Sequence, residues 1–403
     1  MSAFSLSLSL SLSSAELPIF FEERHTALAA RLTREFLAPL AGTHDAAEVA
    51  RALGDPLGLY AHLVPEALGG APAGRPADAS YIDVRALVLV REALGQVSPL
   101  ADAIFAVQGL GSYPVVLAGS EAQRRAILPD VIAGRRIGAF GLTEPEAGSD
   151  VASLRTVARK YEGGWALTGQ KTLISNVPIA HHHVIFANAN PEAGRKGITA
   201  FLVDAGAPGL TVEPVPMSVP HPIGRLRLEG CRGELLGEVG GGFRLAMETL
   251  DAFRISVGAA ANGMAARALA EAVAHVRRRR QFGAPLAEQQ MVRAYLAEMA
   301  TELDAGRLLV ARAAHQRDTA GGRVSVQAAM AKMYATEAAQ RIIDRAVQLH
   351  GGAGVTLETE VERLYREIRP LRIYEGTTEI QKLIIAKGLL DRAAAEDPLP
   401  EPR

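Results

Sequence analysis

Cysteine is almost absent from the 403 residues: Cys231 stands alone. No intrachain disulfide can form and no cysteine cluster can hold zinc, which suits a reducing cytoplasm. Basic charge is not in excess either. There are 43 Lys and Arg against 44 Asp and Glu, a net charge of −1, where a nucleic-acid binder would carry a strong positive balance. No apolar run reads as long enough to span a bilayer. No G-x-G-x-x-G follows a strand pattern and there is no P-loop, which argues against a Rossmann dinucleotide domain and a nucleotide hydrolase. Lys and Arg are missing before Arg24, so the alternating stretch Ser5–Ser14 lacks the basic start of a signal peptide. It reads as a low-complexity tail or a mis-called start.

What is present is the composition of a soluble globular protein, 48% apolar and 22% charged. The chain is long enough for two or three packed units. From Leu17 to Leu37, Tyr81 to Gln96, Ala101 to Val107 and Glu121 to Ile132 the pattern is helical. The character changes near Gly134. Residues 165–168, 184–187, 198–203 and 210–213 read as short strands separated by turn clusters such as Glu162-Gly163-Gly164, which suggests a compact antiparallel sheet or barrel. Phe243 to Arg279, Leu286 to Thr319 and Val324 to His350 are long amphipathic helices with short connections, as in an antiparallel bundle. The expected fold class is α+β. The expected division is a tail at 1–14, an α-helical domain at 15–134, a β domain at 135–237, a helical bundle at 238–393 and a tail at 394–403.

One stretch near the C-terminus stands out, Leu371-Arg372-Ile373-Tyr374-Glu375-Gly376-Thr377-Thr378-Glu379-Ile380-Gln381. A carboxylate lies between an aromatic and a glycine, just ahead of a helix. Thr378 and Gln381 have capping-box spacing. Gly376 lets a backbone or ligand approach closely. A general base is presented in this way, on a rigid support. Taken alone, Glu375 reads as a first-turn carboxylate favoured by the helix dipole.

Four other blocks can carry chemistry. Gly141-Leu142-Thr143-Glu144-Pro145-Glu146-Ala147-Gly148-Ser149-Asp150 offers hydroxyls and backbone N–H groups on a turn, or is a surface Asx or ST loop. Gln170 to Asn176 is a strand leading to a polar turn. Arg277-Arg278-Arg279-Arg280-Gln281-Phe282-Gly283, followed by Gln290, carries four arginines that point around a helix and cannot all reach one ligand. One of them could grip a phosphate. Gln348-Leu349-His350-Gly351-Gly352 ends a helix in glycines. His181-His182-His183 invites a metal reading, but neighbours on a strand face opposite ways and cannot converge.

Together these blocks resemble the acyl-CoA dehydrogenase family of flavoproteins over residues 15 to 393. The resemblance rests on Leu142-Thr143-Glu144-Pro145 with Ala147-Gly148-Ser149-Asp150, Gly169-Gln170-Lys171 with Ile174-Ser175-Asn176, Arg279 with Gln281-Phe282-Gly283 and Gln290, Gln348 with Gly351-Gly352, and Tyr374-Glu375-Gly376-Thr377. It implies a C-terminal four-helix bundle, noncovalent FAD and α,β-dehydrogenation of an acyl-CoA thioester, with electrons passed to an electron-transfer flavoprotein. The family's base falls on Glu375, whose pKa burial beside flavin and acyl chain should raise toward neutrality. The α-proton of a thioester is too weakly acidic for a carboxylate in water, so the enolate oxygen needs preorganised donors and a dry site. The resemblance gives that task to the backbone N–H of Glu375 and a hydroxyl of the cofactor. By motif, Phe140, Leu142, Thr143, Ser149, Leu173, Ser175, Thr377 and Glu379 would contact the FAD. Arg279, Gln281, Phe282, Gln290, Gln348, Gly351 and Gly352 would reach the FAD of a neighbouring subunit, which implies a homodimer or homotetramer. Ser149, Asp251, Arg254 and Gly376 would contact acyl-CoA, with Arg254 a cation near the base.

Three departures shape the expectation. Branches that carry the base one residue before the equivalent of Arg254 have Phe253 there in this chain, which leaves Glu375 as the base. Leu173 stands where an aromatic usually shields the flavin. Cys231 to Gly237 is a shorter connection than usual. Phe253 and Met247 hint at a short, branched or cyclic acyl group. Alternatives are an acyl-CoA oxidase, a dehydrogenase of carrier-protein thioesters, and a flavin-binding member without dehydrogenase activity.

Overall fold

The computed structural model describes residues 12–320 and 324–396. The helices α1 (Ser13–Glu16), α2 (Glu23–Arg31), α3 (Ala46–Gly54), α4 (Val84–Val97), α5 (Pro99–Ala118) and α6 (Glu121–Ile132) come first. Seven strands follow: β1 (Gly138–Gly141), β2 (Val157–Tyr161), β3 (Gly164–Ser175), β4 (His182–Asn188), β5 (Ile198–Asp204), β6 (Leu210–Pro214) and β7 (Ile223–Leu236). Then come α7 (Gly242–Arg278), a small hairpin of β8 (Arg280–Gln281) and β9 (Ala284–Pro285), α8 (Gln290–Thr319), α9 (Ser325–His350), α10 (Glu360–Glu367) and α11 (Thr378–Glu396). The order α, β, α is the expected one. The compact units cut across it: one comprises Glu35–Asp83 and Ser98–Phe253, the other the residues up to Arg34, Val84–Val97 and everything from Arg254 onward.

The first unit is built on the sheet. β4 pairs with β5, β5 with β7, β7 with β3, β3 with β2, and β2 again with β4, so five strands close into a barrel. β1 is added on β4 and β6 on β7. Two pairings, β1–β4 and β2–β4, are parallel, which corrects the expectation of a wholly antiparallel sheet. Parallel neighbours need a long crossover, and here the β2–β3 hairpin with its turn at Gly163 intervenes before β4. Cys231 to Leu236 is the far half of β7, paired with Trp165, Ala166 and Leu167 and with Ala200 to Leu202, rather than a free connection. Leu167, Ile174, Ile185, Phe201, Leu226 and Leu228 fill the interior.

Beside this sheet lies α5. By length and composition this helix could cross a membrane, which corrects the expectation that no run is long enough, and 83% of its apolar window is buried. It packs on β1, α3 and α6, and a helix apolar all round is what the centre of a packed unit requires. A Cβ at Gly111 would lie 2.6 Å from the Gly138 carbonyl carbon, so glycine there lets α5 approach β1.

The second unit is helical. α7 packs through Val257, Ala261, Met264, Ala268 and Val276 against Met299 of α8 and Ile342, Ile343 and Ala346 of α9. α4 joins the bundle, with Val84 and Val88 against Ile255, Val310 and Ala331. Two ion pairs tie it to α8: Glu92 to Arg307 at 2.8 Å and Arg85 to Asp318 at 3.0 Å. Leu12, Ser13 and Ser14 are buried, and the Ser13 N–H donates to Glu92 Oε2 at 2.9 Å, so this end of the expected tail is packed. The rest of that tail, residues 1–11, and residues 397–403 lie outside the described residues.

Candidate active site

Among the described residues only four that are not glycine hold a positive φ: Leu173, Asn176, Phe282 and Glu375. All four fall in the motif blocks. A side chain in the left-handed region carries strain that surrounding contacts must hold, so the geometry itself marks these blocks.

Glu375 has φ +52 and Gly376 φ +93. The turn is gripped from several sides. The Glu375 carbonyl accepts from Arg254 Nε at 3.2 Å. The Gly376 carbonyl accepts from Lys332 Nζ at 2.8 Å and from Gln381 Nε2 at 2.9 Å. Glu337 accepts from Arg372 Nε at 2.8 Å and from Thr378 Oγ1 at 2.6 Å. Burial would raise the Glu337 carboxyl, but those two donors hold it below the usual range. Tyr374 packs against the core shared by α7, α8, α9 and α10. Glu375 Oε2 is buried.

The capping box expected from Thr378 and Gln381 does not form. Thr377 is the cap, its Oγ1 accepting from Ile380 N at 3.4 Å. Thr378 turns instead to Glu337, and Gln381 reaches back to the Gly376 carbonyl. Glu379 is exposed at the start of α11, where a backbone N–H and the Thr377 hydroxyl hold its carboxyl below the usual range.

Lys332 was not singled out from sequence. It is fully buried on α9. Burial pushes its ammonium down to about 8, against the pull of the Glu375 carboxylate. A lone lysine amid Ala328, Ala329, Ala331 and Ala335 is the signal that could have found it.

In the sheet unit, β1 leads into the Leu142–Asp150 loop. Glu144 is buried there and accepts from Arg155 N at 2.5 Å, Thr156 N at 3.0 Å and Lys171 Nζ at 2.7 Å. Lys171 Nζ also donates to the Leu142 carbonyl at 3.1 Å, and Thr172 N to the Thr143 carbonyl at 3.0 Å. Burial would raise Glu144, yet Lys171 and these N–H donors hold it below the usual range. Leu173 is exposed, Thr143 half-buried and Ser149 exposed. Ser175 Oγ lies 2.7 Å from His221 Nε2, and burial pushes that imidazole down to about 4. Phe140 is buried, its ring 4.9 Å from that of Phe186, so its side chain belongs to the core.

At one end of the helical unit, Arg279, Gln281, Phe282, Gln290, Gln348, Gly351 and Gly352 are all exposed. The β8–β9 hairpin carries Phe282 at its tip, 94% exposed. His275 of α7 stacks on His350 of α9 at 4.2 Å, which joins the ends of the two helices. Of the four residues matched to acyl-CoA, Ser149 and Asp251 belong to the sheet unit and Arg254 and Gly376 to the helical unit. His182 and His183 each bond a different backbone carbonyl, Gly111 and Val203.

Family models match the chain in three consecutive parts: the acyl-CoA dehydrogenase N-terminal domain over residues 22–135, the middle domain over 139–231 and the C-terminal domain over 240–390. The chain belongs to the acyl-CoA dehydrogenase family. It is similar to the human short-chain specific acyl-CoA dehydrogenase of mitochondria, 38% identical over 92% of this chain and 87% of that protein. It is also similar to the CarC subunit of the caffeyl-CoA reductase–Etf complex of Acetobacterium woodii, 35% identical over 83% of this chain and 88% of the relative. An acyl-CoA dehydrogenase complexed with FAD from Bacillus anthracis has the same fold, with a TM-score of 0.85 and 27% identity over 94% of this chain and 69% of that one. This family member is a flavin-dependent oxidoreductase and FAD is its cofactor.

The residues present fit that cofactor. The sheet unit presents hydroxyls at Thr143 and Ser149 and an exposed apolar Leu173 on strained backbone. In the helical unit a Cβ built at Gly351 or Gly352 meets nothing within 4 Å, so both glycines are open to a ligand.

Proposed function

We propose that the chain catalyses α,β-dehydrogenation of an acyl-CoA thioester to the trans-2-enoyl-CoA, with Glu375 taking the α-proton. The observation that carries this reading is the Glu375–Gly376 turn, a carboxylate on left-handed backbone whose two carbonyls are fixed by Arg254, Lys332 and Gln381. A base held this rigidly loses little entropy on meeting its substrate. The family resemblance assigns the Glu375 N–H to the thioester oxygen, where negative charge develops as the proton departs. Leu142, Thr143, Ser149, Leu173, Ser175, Thr377 and Glu379 hold the FAD, with Phe140 contributing backbone only. FAD, when bound, supplies the hydride acceptor. Ser149, Asp251, Arg254 and Gly376 hold the acyl-CoA.

The acyl group is short, branched or cyclic. Phe253 is fully buried against α5, its ring 5.8 Å from that of Tyr113, and a Cβ at Gly109 would come within 2.2 Å of it. Such packing leaves little space beside the ring. Arg279, Gln281, Phe282, Gln290, Gln348, Gly351 and Gly352, all exposed here, reach the FAD of a second copy in a homodimer or homotetramer. An electron-transfer flavoprotein takes the electrons, a partner supported by the Etf complex of the Acetobacterium relative. A second reading, oxidase chemistry, is favoured by one observation: Leu173 is exposed where the resemblance expects an aromatic shield.

The test is an anaerobic absorbance titration of FAD-loaded protein with straight, branched and cyclic acyl-CoA thioesters, beside Glu375→Gln. Bleaching by one thioester class, lost in the variant, supports reaction and base together. No bleaching by any thioester sinks the reading and moves the weight to carrier-bound substrates or a binding role.

A further inference from the structure

Lys332 sits where a charged side chain is hardest to keep. It is fully buried, and its neighbours on α9 are Ala328, Ala329, Ala331, Ala335, Ala338 and Ala339, all buried too. Taking an ammonium out of water costs several kcal/mol after relaxation, and a methionine would fill similar volume without that penalty. The hydrogen bond that Lys332 makes does not go to a carboxylate. It goes to the Gly376 carbonyl at 2.8 Å. Gln381 already supplies that oxygen with a second donor at 2.9 Å. What lysine adds beyond Gln381 is therefore its charge, one residue from Glu375.

The charges around this turn come from four elements. Arg254 of α7 engages the Glu375 carbonyl. α9 brings Lys332 and Glu337, and Arg372 pairs with Glu337 at 2.7 Å. Glu379 stands at the start of α11. With Glu337 matched by Arg372, the charges that act on Lys332 are the Glu375 carboxylate first, then the Arg254 cation and the exposed Glu379 carboxylate. α9 also grips the turn at two points, Lys332 on Gly376 and Glu337 on Thr378.

We propose that Lys332 is a positioning residue for Glu375: its buried ammonium pins the left-handed Glu375–Gly376 turn through the Gly376 carbonyl and keeps the carboxylate ionised by its charge. This rests on the reading of Glu375 as the base. The two tasks separate by substitution. Lys332→Gln can keep a donor and loses the charge. Lys332→Met loses both.

The experiment measures anaerobic flavin reduction against pH for wild type, Lys332→Gln, Lys332→Met and Glu375→Gln. All are loaded with FAD and driven by the panel thioester that bleaches the wild type fastest; melting temperature and bound FAD are recorded alongside. Loss of a facing cation raises a carboxyl pKa, so the acid limb should move to higher pH by about one unit in both Lys332 variants. Lys332→Met should also lose about ten-fold or more from the plateau rate as the base loosens, with KM changed far less than kcat. A folded Lys332→Gln or Lys332→Met with unmoved limb and plateau, beside an inactive Glu375→Gln, overturns the inference and leaves the base assignment standing. If Glu375→Gln reduces flavin at the wild-type rate, or no thioester bleaches the wild type, the base assignment fails and this inference with it. If Lys332→Met does not fold, the limb of Lys332→Gln decides alone.

Discussion

Glu144 and Lys171 form an ion pair 2.7 Å apart inside the sheet unit, with the ammonium fully buried and the carboxylate nearly so. The pair joins the loop after β1 to strand β3. Lys171 also holds the Leu142 carbonyl, while Glu144 gathers the N–H groups of Arg155 and Thr156. It thus sets the backbone of the loop that carries Thr143 and Ser149.

Breaking such a pair from one side leaves a buried charge behind. Lys171→Met should therefore cost about 3–5 kcal/mol in urea unfolding. The double variant Glu144→Gln/Lys171→Met should be less destabilised than the sum of the two single variants, because neither charge is then stranded. FAD retention on gel filtration should fall in Lys171→Met. Strict additivity of the two substitutions would show that the pair is not coupled.

Gly376 combines φ +93 with a close neighbour: a built Cβ would lie 2.6 Å from Gln381 Nε2, the atom that holds its own carbonyl. Gly376→Ala thus strains the backbone and dislodges Gln381. The backbone penalty alone is about 1–2 kcal/mol. Flavin reduction should fall by more than this loss of stability implies, since the base moves with the turn. A variant that melts several degrees lower yet reduces flavin at the wild-type rate would count against the turn as the support of Glu375.

Leu173 has φ +53 and is 56% exposed. Leu173→Gly should relieve strain of roughly 1 kcal/mol while losing little buried area. If Leu173 covers the flavin, the same variant should speed reoxidation of the reduced protein by oxygen, and Leu173→Trp should slow it. Equal reoxidation rates in all three proteins would remove Leu173 from the flavin surface and with it the support for oxidase chemistry.

The motif blocks and the α, β, α order were legible because each is a local pattern. Helical periodicity, turn glycines and the Tyr374–Thr377 block need only neighbours in sequence. β7 carries a period-two alternation as well, with Leu226 and Leu228 inward against Arg225, Arg227 and Glu229 outward. What could not be read depends on partners far along the chain. Lys171 meets Glu144 across 27 residues and Lys332 meets Gly376 across 44. The parallel pairings of β4 and the placing of α4 among the C-terminal helices are of the same kind. The capping-box expectation failed although the spacing fitted: Thr378 turns to Glu337, 41 residues away on α9, and Gln381 to the Gly376 carbonyl in the turn.

His182 and His183 should contribute to the acid limit, together with His221 and His275, which burial also pushes down to about 4. His182 and His183 are buried, and burial pushes them down to about 3 and about 4 from an ordinary value of 6.5. His182 bonds the Gly111 carbonyl at 3.1 Å and His183 the Val203 carbonyl at 3.3 Å, each acting as a neutral donor. With the folded pKa below the unfolded one, the unfolded chain binds more protons between pH 6.5 and about 4. The stability from each histidine is therefore fully present above pH 6.5 and lost as pH falls toward 4, by up to about 1.4 kcal/mol per pH unit. Urea midpoints at pH 7.5, 6.0 and 5.0 should fall progressively. His183→Gln should start lower at pH 7.5, since it disturbs the Val203 bond, but fall less steeply. Parallel slopes in the two proteins would show that groups elsewhere, such as His221, His275 or carboxylates, and not His183, set the acid limit.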